Sequence, residues 1–144
     1  MSACSFKNYE HSTSKVIIIK TPLLKFSDLG YVKRNDDSVR LELFVAGQNI
    51  QNIEINYLVC VDDGCMSKKT FNTEFLHQSY PTDILQNIVL GKKIYNAKNV
   101  VETSQGFEQK IENENVDISY RVSSSEIYFK DKKNHILFKI KDIQ

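Results

Sequence analysis

The chain has 144 residues, 41% of them hydrophobic and 26% charged, which suits one globular domain with a core of its own and is short for two. Nineteen basic against 18 acidic side chains leave a formal charge of +1, which argues against a general nucleic-acid binder. The longest apolar run, Val16-Ile17-Ile18-Ile19, falls far short of the ~20 residues a membrane-spanning helix needs.

Taken in order, residues 1–14 read as a tether. Ser5 to Ser14 are polar and aperiodic, and ten flexible residues span about 17–19 Å. Within the tether, Ser2-Ala3-Cys4 resembles the end of a bacterial lipobox, where small residues precede a cysteine that takes lipid and becomes the mature N-terminus. On that reading the chain starts just after a removed signal segment. Residues 15–144 read as a single β-sandwich domain with a helical insertion at about residues 70–90.

The domain opens with a short apolar strand over residues 15–20, interrupted by Thr21-Pro22 because proline cannot donate to a ladder. Leu24 and Phe26 are candidates for the core. After a turn at residues 34–38, Val39, Leu41, Leu43 and Val45 alternate, the signature of a strand with one buried side. Ile53, Ile55, Tyr57, Val59 and Val61 form a second alternating face, which turns Cys60 away from the main apolar stripe.

Cys60 and Cys65 flank Val61-Asp62-Asp63-Gly64, a strand end followed by a turn. A tight hairpin brings two Cα atoms within the ~7 Å a disulfide needs. If Cys4 carries lipid, these two cysteines pair and no thiol is left over in an oxidising compartment. Redox catalysis is disfavoured: the spacing is Cys-x4-Cys rather than Cys-x-x-Cys, with no βαβ pattern around it. A zinc site would join Cys60, Cys65 and His77, with Asp62 or Asp63, and lacks a convincing fourth ligand. No metal or cofactor is therefore expected. His11, His77 and His135 have no nucleophile partner placed by sequence, and no catalytic residues are assigned.

Beyond Cys65 the period changes. Asn72 reads as an N-cap, with Phe71 and Leu76 as its hydrophobic staple and a helix end near Gln78. A second helix starts around Ser79-Tyr80-Pro81-Thr82, carries Ile84, Leu85, Ile88 and Val89 on one stripe, and ends at Leu90-Gly91. Residues 92–95 read as a short strand and 96–104 as a loop. Strands follow at 106–111 and 116–122, and a final hairpin at 126–130 and 135–143, with Ile136, Phe138 and Ile140 on one face. Lys130, Lys132, Lys133, Lys139 and Lys141 make that hairpin basic, which protects an edge from association. Phe75, Tyr80, Ile84 and Tyr95, with Phe107 nearby, are the candidate interaction surface beside the helical insertion.

Eight or nine short strands at intervals near ten residues, with one helical insertion, predict a mainly β chain: an antiparallel β-sandwich. The alternative is an α+β fold, one curved antiparallel sheet packed on helices. The Ser-Ala-Cys start, the Val59-Cys60…Cys65 pair, Phe71-Asn72…Phe75-Leu76, Tyr80-Pro81…Leu85…Ile88-Leu90 and the closing Ile136-Leu137-Phe138-Lys139-Ile140 resemble small lipoproteins of Campylobacter- and Helicobacter-type bacteria. The resemblance implies an immunoglobulin-like sandwich, an outer-membrane location with a lipid anchor on Cys4, and no enzyme. The function expected is an envelope lipoprotein that binds an unknown protein partner in surface interaction or envelope assembly. The alternative is a periplasmic carrier of a small molecule or lipid, with a pocket beside the insertion.

Overall fold

The computed structural model describes residues 9–62 and 64–143. Cys4 and all but the last six residues of the expected tether lie outside them, as does Asp63 of the turn. Eleven strands are seen: β1 (His11–Lys20), β2 (Lys25–Arg34), β3 (Val39–Val45), β4 (Gln48–Ile55), β5 (Val59–Val61), β6 (Gly64–Met66), β7 (Val100–Glu102), β8 (Gly106–Glu112), β9 (Asp117–Ser123), β10 (Glu126–Asp131) and β11 (Ile136–Lys141). Two short helices, α1 (Lys68–Phe75) and α2 (Ile84–Leu90), and a 3-10 turn at Tyr95–Ala97 lie between β6 and β7.

All the strands belong to one antiparallel sheet, ordered β6-β5-β4-β3-β2-β1-β11-β10-β9-β8-β7. The first six strands form a meander running outward from the centre, and the last five a meander running back in. The two halves meet where β1 pairs with β11, Val16 opposite Lys141 and Ile19 opposite Phe138. The mainly β, antiparallel class with a short helical insertion is as the sequence predicts. Among the described residues the ladder does not divide into two sheets, so the immunoglobulin-like arrangement does not follow from it.

Alternation decides which face of the sheet is covered. Ile17, Ile19, Leu41, Leu43, Ile53, Ile55, Phe129 and Ile136 all point inward and are buried. Against them lie Ile84, Leu85, Ile88 and Val89, the stripe of α2, also buried. Helix α2 touches both β3 and β10, which are separated in the sheet by β2, β1 and β11. Four strand spacings span about 19 Å when flat, whereas a helix body is about 10 Å across. The sheet therefore curls around the insertion, and its uncovered face is convex.

Several local expectations shift. Strand β1 begins at His11, inside the expected tether, because backbone pairing of His11–Ser14 with Arg34–Tyr31 needs no apolar pattern. The cap of α1 is Ser67, whose Oγ accepts from the Thr70 amide at 3.0 Å, rather than Asn72. Asn72 sits inside the helix, buried, and donates to the Pro81 carbonyl at 3.0 Å. Helix α2 begins only at Ile84, so Pro81 and Thr82 lie before it rather than in its first turn, whereas Gly91 ends it at φ 68°, as the sequence predicts. Residues 92–95 form no strand. The chain instead enters the Tyr95–Ala97 turn, with Tyr95, Asn96 and Ala97 all at positive φ. The expected loop at 96–104 contains β7.

Candidate functional site

The cysteine pair is a cross-strand staple. Cys60 on β5 is the register partner of Cys65 on β6, and the two are joined by a disulfide with Cα atoms 4.0 Å apart. Cys60 points to the convex side, opposite Glu54, as the alternation requires. The bridge closes the sheet edge just before α1. Among the described residues, no group of three or more His, Cys, Asp or Glu side chains is placed to hold a metal ion. His77 is engaged locally: its Nδ1 accepts from the Ser79 amide at 3.1 Å and lies 2.7 Å from the Ser79 hydroxyl.

The four residues expected to form an interaction surface do not form one. Tyr80 and Ile84 are buried, and Phe75 and Tyr95 are half-buried. Phe75 stacks on Phe71 with ring centroids 4.9 Å apart, the i, i+4 contact of a helix face turned inward. Tyr80 packs edge-on against Phe129 at 6.0 Å. These side chains hold the insertion on the sheet. The volume between α2 and the sheet, where a carrier would keep its cargo, is occupied by Ile84 and Ile88, both fully buried.

Three polar side chains on the C-terminal strands clasp the insertion. The Tyr80 hydroxyl donates to Asp131 at 2.6 Å. Gln109 accepts from the Ile94 amide at 2.9 Å and donates to the Ile94 and Lys98 carbonyls, each at 2.8 Å. The Tyr120 hydroxyl donates to the Lys92 carbonyl at 2.7 Å, just past α2. Asp131 also accepts from the amides of Asp117, Lys133 and Asn134 and from the Asn134 side chain. Burial pushes its carboxyl up, but the hydrogen bonds from Tyr80, Asn134 and the backbone outweigh that and hold it below its ordinary value. Burial, then the bond to Asp131 and its charge, raises the Tyr80 hydroxyl far above the usual phenol range. Burial and the same charge push Tyr95 up to about 12.

Asp131 and Gln109 were missed by sequence reasoning, although a signal was present. Each occupies an inward slot, Asp131 two residues after Phe129 and Gln109 two before Ile111, where alternation calls for an apolar residue. A polar side chain in such a slot must find partners, and here those partners belong to the insertion.

Two surface depressions among the described residues bear on binding. One is a cleft of about 530 Å³ where the turns after β2 and β4 meet the helices, lined by Asp37, Asn56, Tyr57, Lys68, Thr82, Asp83 and Gln86. Lys68 spans it from the helical side, 2.8 Å from Asp83 and 3.0 Å from Gln86. Tyr57 is 89% exposed at its rim, in a turn closed by the Asn56 amide on the Leu58 carbonyl at 3.0 Å. The other is a groove of about 420 Å³ on the convex face, walled by Leu29, Tyr31, Phe44 and Ile143. No family model, no curated protein and no solved structure matches the chain.

Proposed function

We propose that the chain is a non-enzymatic binding domain of the bacterial cell envelope, tethered by lipid on Cys4, which engages a protein partner at the cleft beside α1 and α2. The observation that carries the reading is Tyr57. A tyrosine 89% exposed beside a cleft contributes nothing to the core, and such a ring supplies a large contact area to a partner. The Cys60–Cys65 bridge supports an oxidising compartment, where disulfides persist. The polar groups withdrawn from solvent, Asp131, Gln109 and Asn72, serve the fold, and at the cleft Lys68 is paired with Asp83.

Two measurements test it. Mass spectrometry of the protein made in a bacterium with the lipoprotein pathway should find acyl chains on Cys4, and an unmodified cytosolic product would overturn the location. Photo-crosslinking from position 57 in membranes should yield one discrete protein adduct that Lys68→Glu abolishes. Absence of any adduct would overturn the binding role.

A further inference from the structure

The convex face is unusual for the solvated side of an antiparallel sheet. Such a face ordinarily carries mostly polar residues at its outward positions. Here the outward positions of the central strands mix serines and lysines with a contiguous apolar group. Leu29 lies opposite Val16, Ile18 is next along β1, and Tyr31 meets Phe44 edge-on at 5.5 Å. Leu29 is 48% and Tyr31 40% exposed. Strand β1 is the sixth of the eleven, so these side chains sit on the crest of the curved sheet, where a flat surface would touch first.

Lysines border the apolar crest. Lys141 faces Val16 and Lys139 faces Ile18, while Lys20 and Lys25 face each other one step further along. Lys130 lies opposite Leu137, itself opposite Lys20. Among the described residues Lys20, Lys25, Lys130 and Lys141 form no ion pair, whereas Lys33, Lys110 and Lys139 do. Glu126 faces Lys141 and bridges Lys139, and Glu42 faces Tyr31, but Lys20, Lys25 and Lys130 face no acid across the ladder. Lysines therefore outnumber carboxylates among these apolar side chains, a pattern that matches an anionic bilayer, whose headgroups take the charge and whose interface takes the rings and aliphatic groups.

The first described residue packs on this side. The Tyr9 hydroxyl donates to Glu54, and Glu54 points to the convex face between the buried Ile53 and Ile55. Cys4 is five residues upstream, a reach of at most about 18 Å.

We infer that the convex crest of the sheet, centred on Val16, Ile18, Leu29 and Tyr31 and edged by Lys20, Lys25, Lys130 and Lys141, lies against an anionic lipid surface. The inference rests on the envelope reading above and assigns the domain an orientation: crest to the membrane, helices and Tyr57 cleft away from it. A second copy of the chain is a poor occupant, because a two-fold would set these lysines against themselves. The breadth of the patch, from β3 to β10, suits a bilayer better than a single inserted side chain.

The test uses the full chain carrying Cys4→Ser, so that no lipid contributes. Flotation with vesicles of phosphatidylglycerol and phosphatidylcholine should show binding that pure phosphatidylcholine does not support and that falls at least tenfold between low and physiological salt. Leu29→Glu, and separately Lys20→Glu with Lys25→Glu, should each lower partition at least tenfold with Tm unchanged, and Tyr57→Ala should leave it intact. Equal binding to neutral vesicles, indifference to these substitutions, or capture of soluble poly-glutamate without vesicle binding would overturn the inference. Because the assay omits acylation, failure here leaves the anchor on Cys4 standing, and an unmodified Cys4 leaves the crest result standing.

Discussion

Tyr80 donates a 2.6 Å hydrogen bond to Asp131 across 51 residues of sequence, joining the turn before α2 to the inner face of β10. The acceptor is charged and the pair is buried, so this contact weighs more than an ordinary side-chain hydrogen bond. Tyr80→Phe should cost about 1.5–3 kcal/mol in urea unfolding. Asp131→Asn should cost more, about 3 kcal/mol or above, since four other donors converge on the same carboxylate. The double variant should fall short of the sum by about 1–2 kcal/mol, the coupling expected of residues in direct contact.

The same pair predicts how stability varies with pH. The Asp131 carboxyl is held below its ordinary value, so its contribution is complete above about pH 4 and is lost as pH falls through the folded-state value. Tyr80 is raised, so its contribution is complete below about pH 10 and is lost as pH climbs beyond that. Urea midpoints measured across both limbs should show each decline. Asp131→Asn should flatten the acid limb. Tyr80→Phe should only soften the alkaline limb, because burial also raises Tyr95 and Tyr120.

Reduction of Cys60–Cys65 should be tolerated. The bridge joins residues five apart. Closing so short a loop contributes about 2 kcal/mol by the chain-entropy account. Cys60→Ser with Cys65→Ser, or treatment with a reductant, should lower Tm by several degrees while the far-ultraviolet circular dichroism of the folded state stays the same. Complete unfolding on reduction would show that the staple holds more than the β5–β6 edge.

Gly106 is required for its lack of a side chain. A Cβ there would sit 2.0 Å from the Val122 carbonyl oxygen on the neighbouring strand, and that oxygen belongs to backbone that cannot rotate away. Gly106→Ala should cost about 3 kcal/mol, at the upper end for overpacking, read as a shift of the urea midpoint. The same substitution at Gly64, where the nearest atom is 3.9 Å away, should be close to neutral.

Much of the strand pattern is legible in the residues because alternation is a local property. Val39, Leu41 and Leu43, and again Ile136, Phe138 and Ile140, announce both a strand and its buried side. The turn between the cysteines, the outward direction of Cys60 and the Gly91 stop follow equally from neighbours in sequence. Ser67 was overlooked as a cap because Asn72, beside an apolar pair, offered the stronger local signal. Backbone pairing extended β1 to His11 although its first residues are polar.

What the sequence determined by itself was therefore the class: a mainly β, antiparallel chain with a short helical insertion and a cysteine pair at a hairpin. Hydrophobic period and turn chemistry are written within a few residues, so they survive reading one segment at a time. The tertiary structure alone decided that β1 meets β11, that one sheet curls around α2, and that Asp131, Gln109 and Tyr120 clasp the insertion. It also decided that Phe75, Tyr80, Ile84 and Tyr95 face inward while Leu29 and Tyr31 stand exposed. Those outcomes depend on which distant segment covers which face, and the packing of the whole chain sets that coverage, not the period of any one strand.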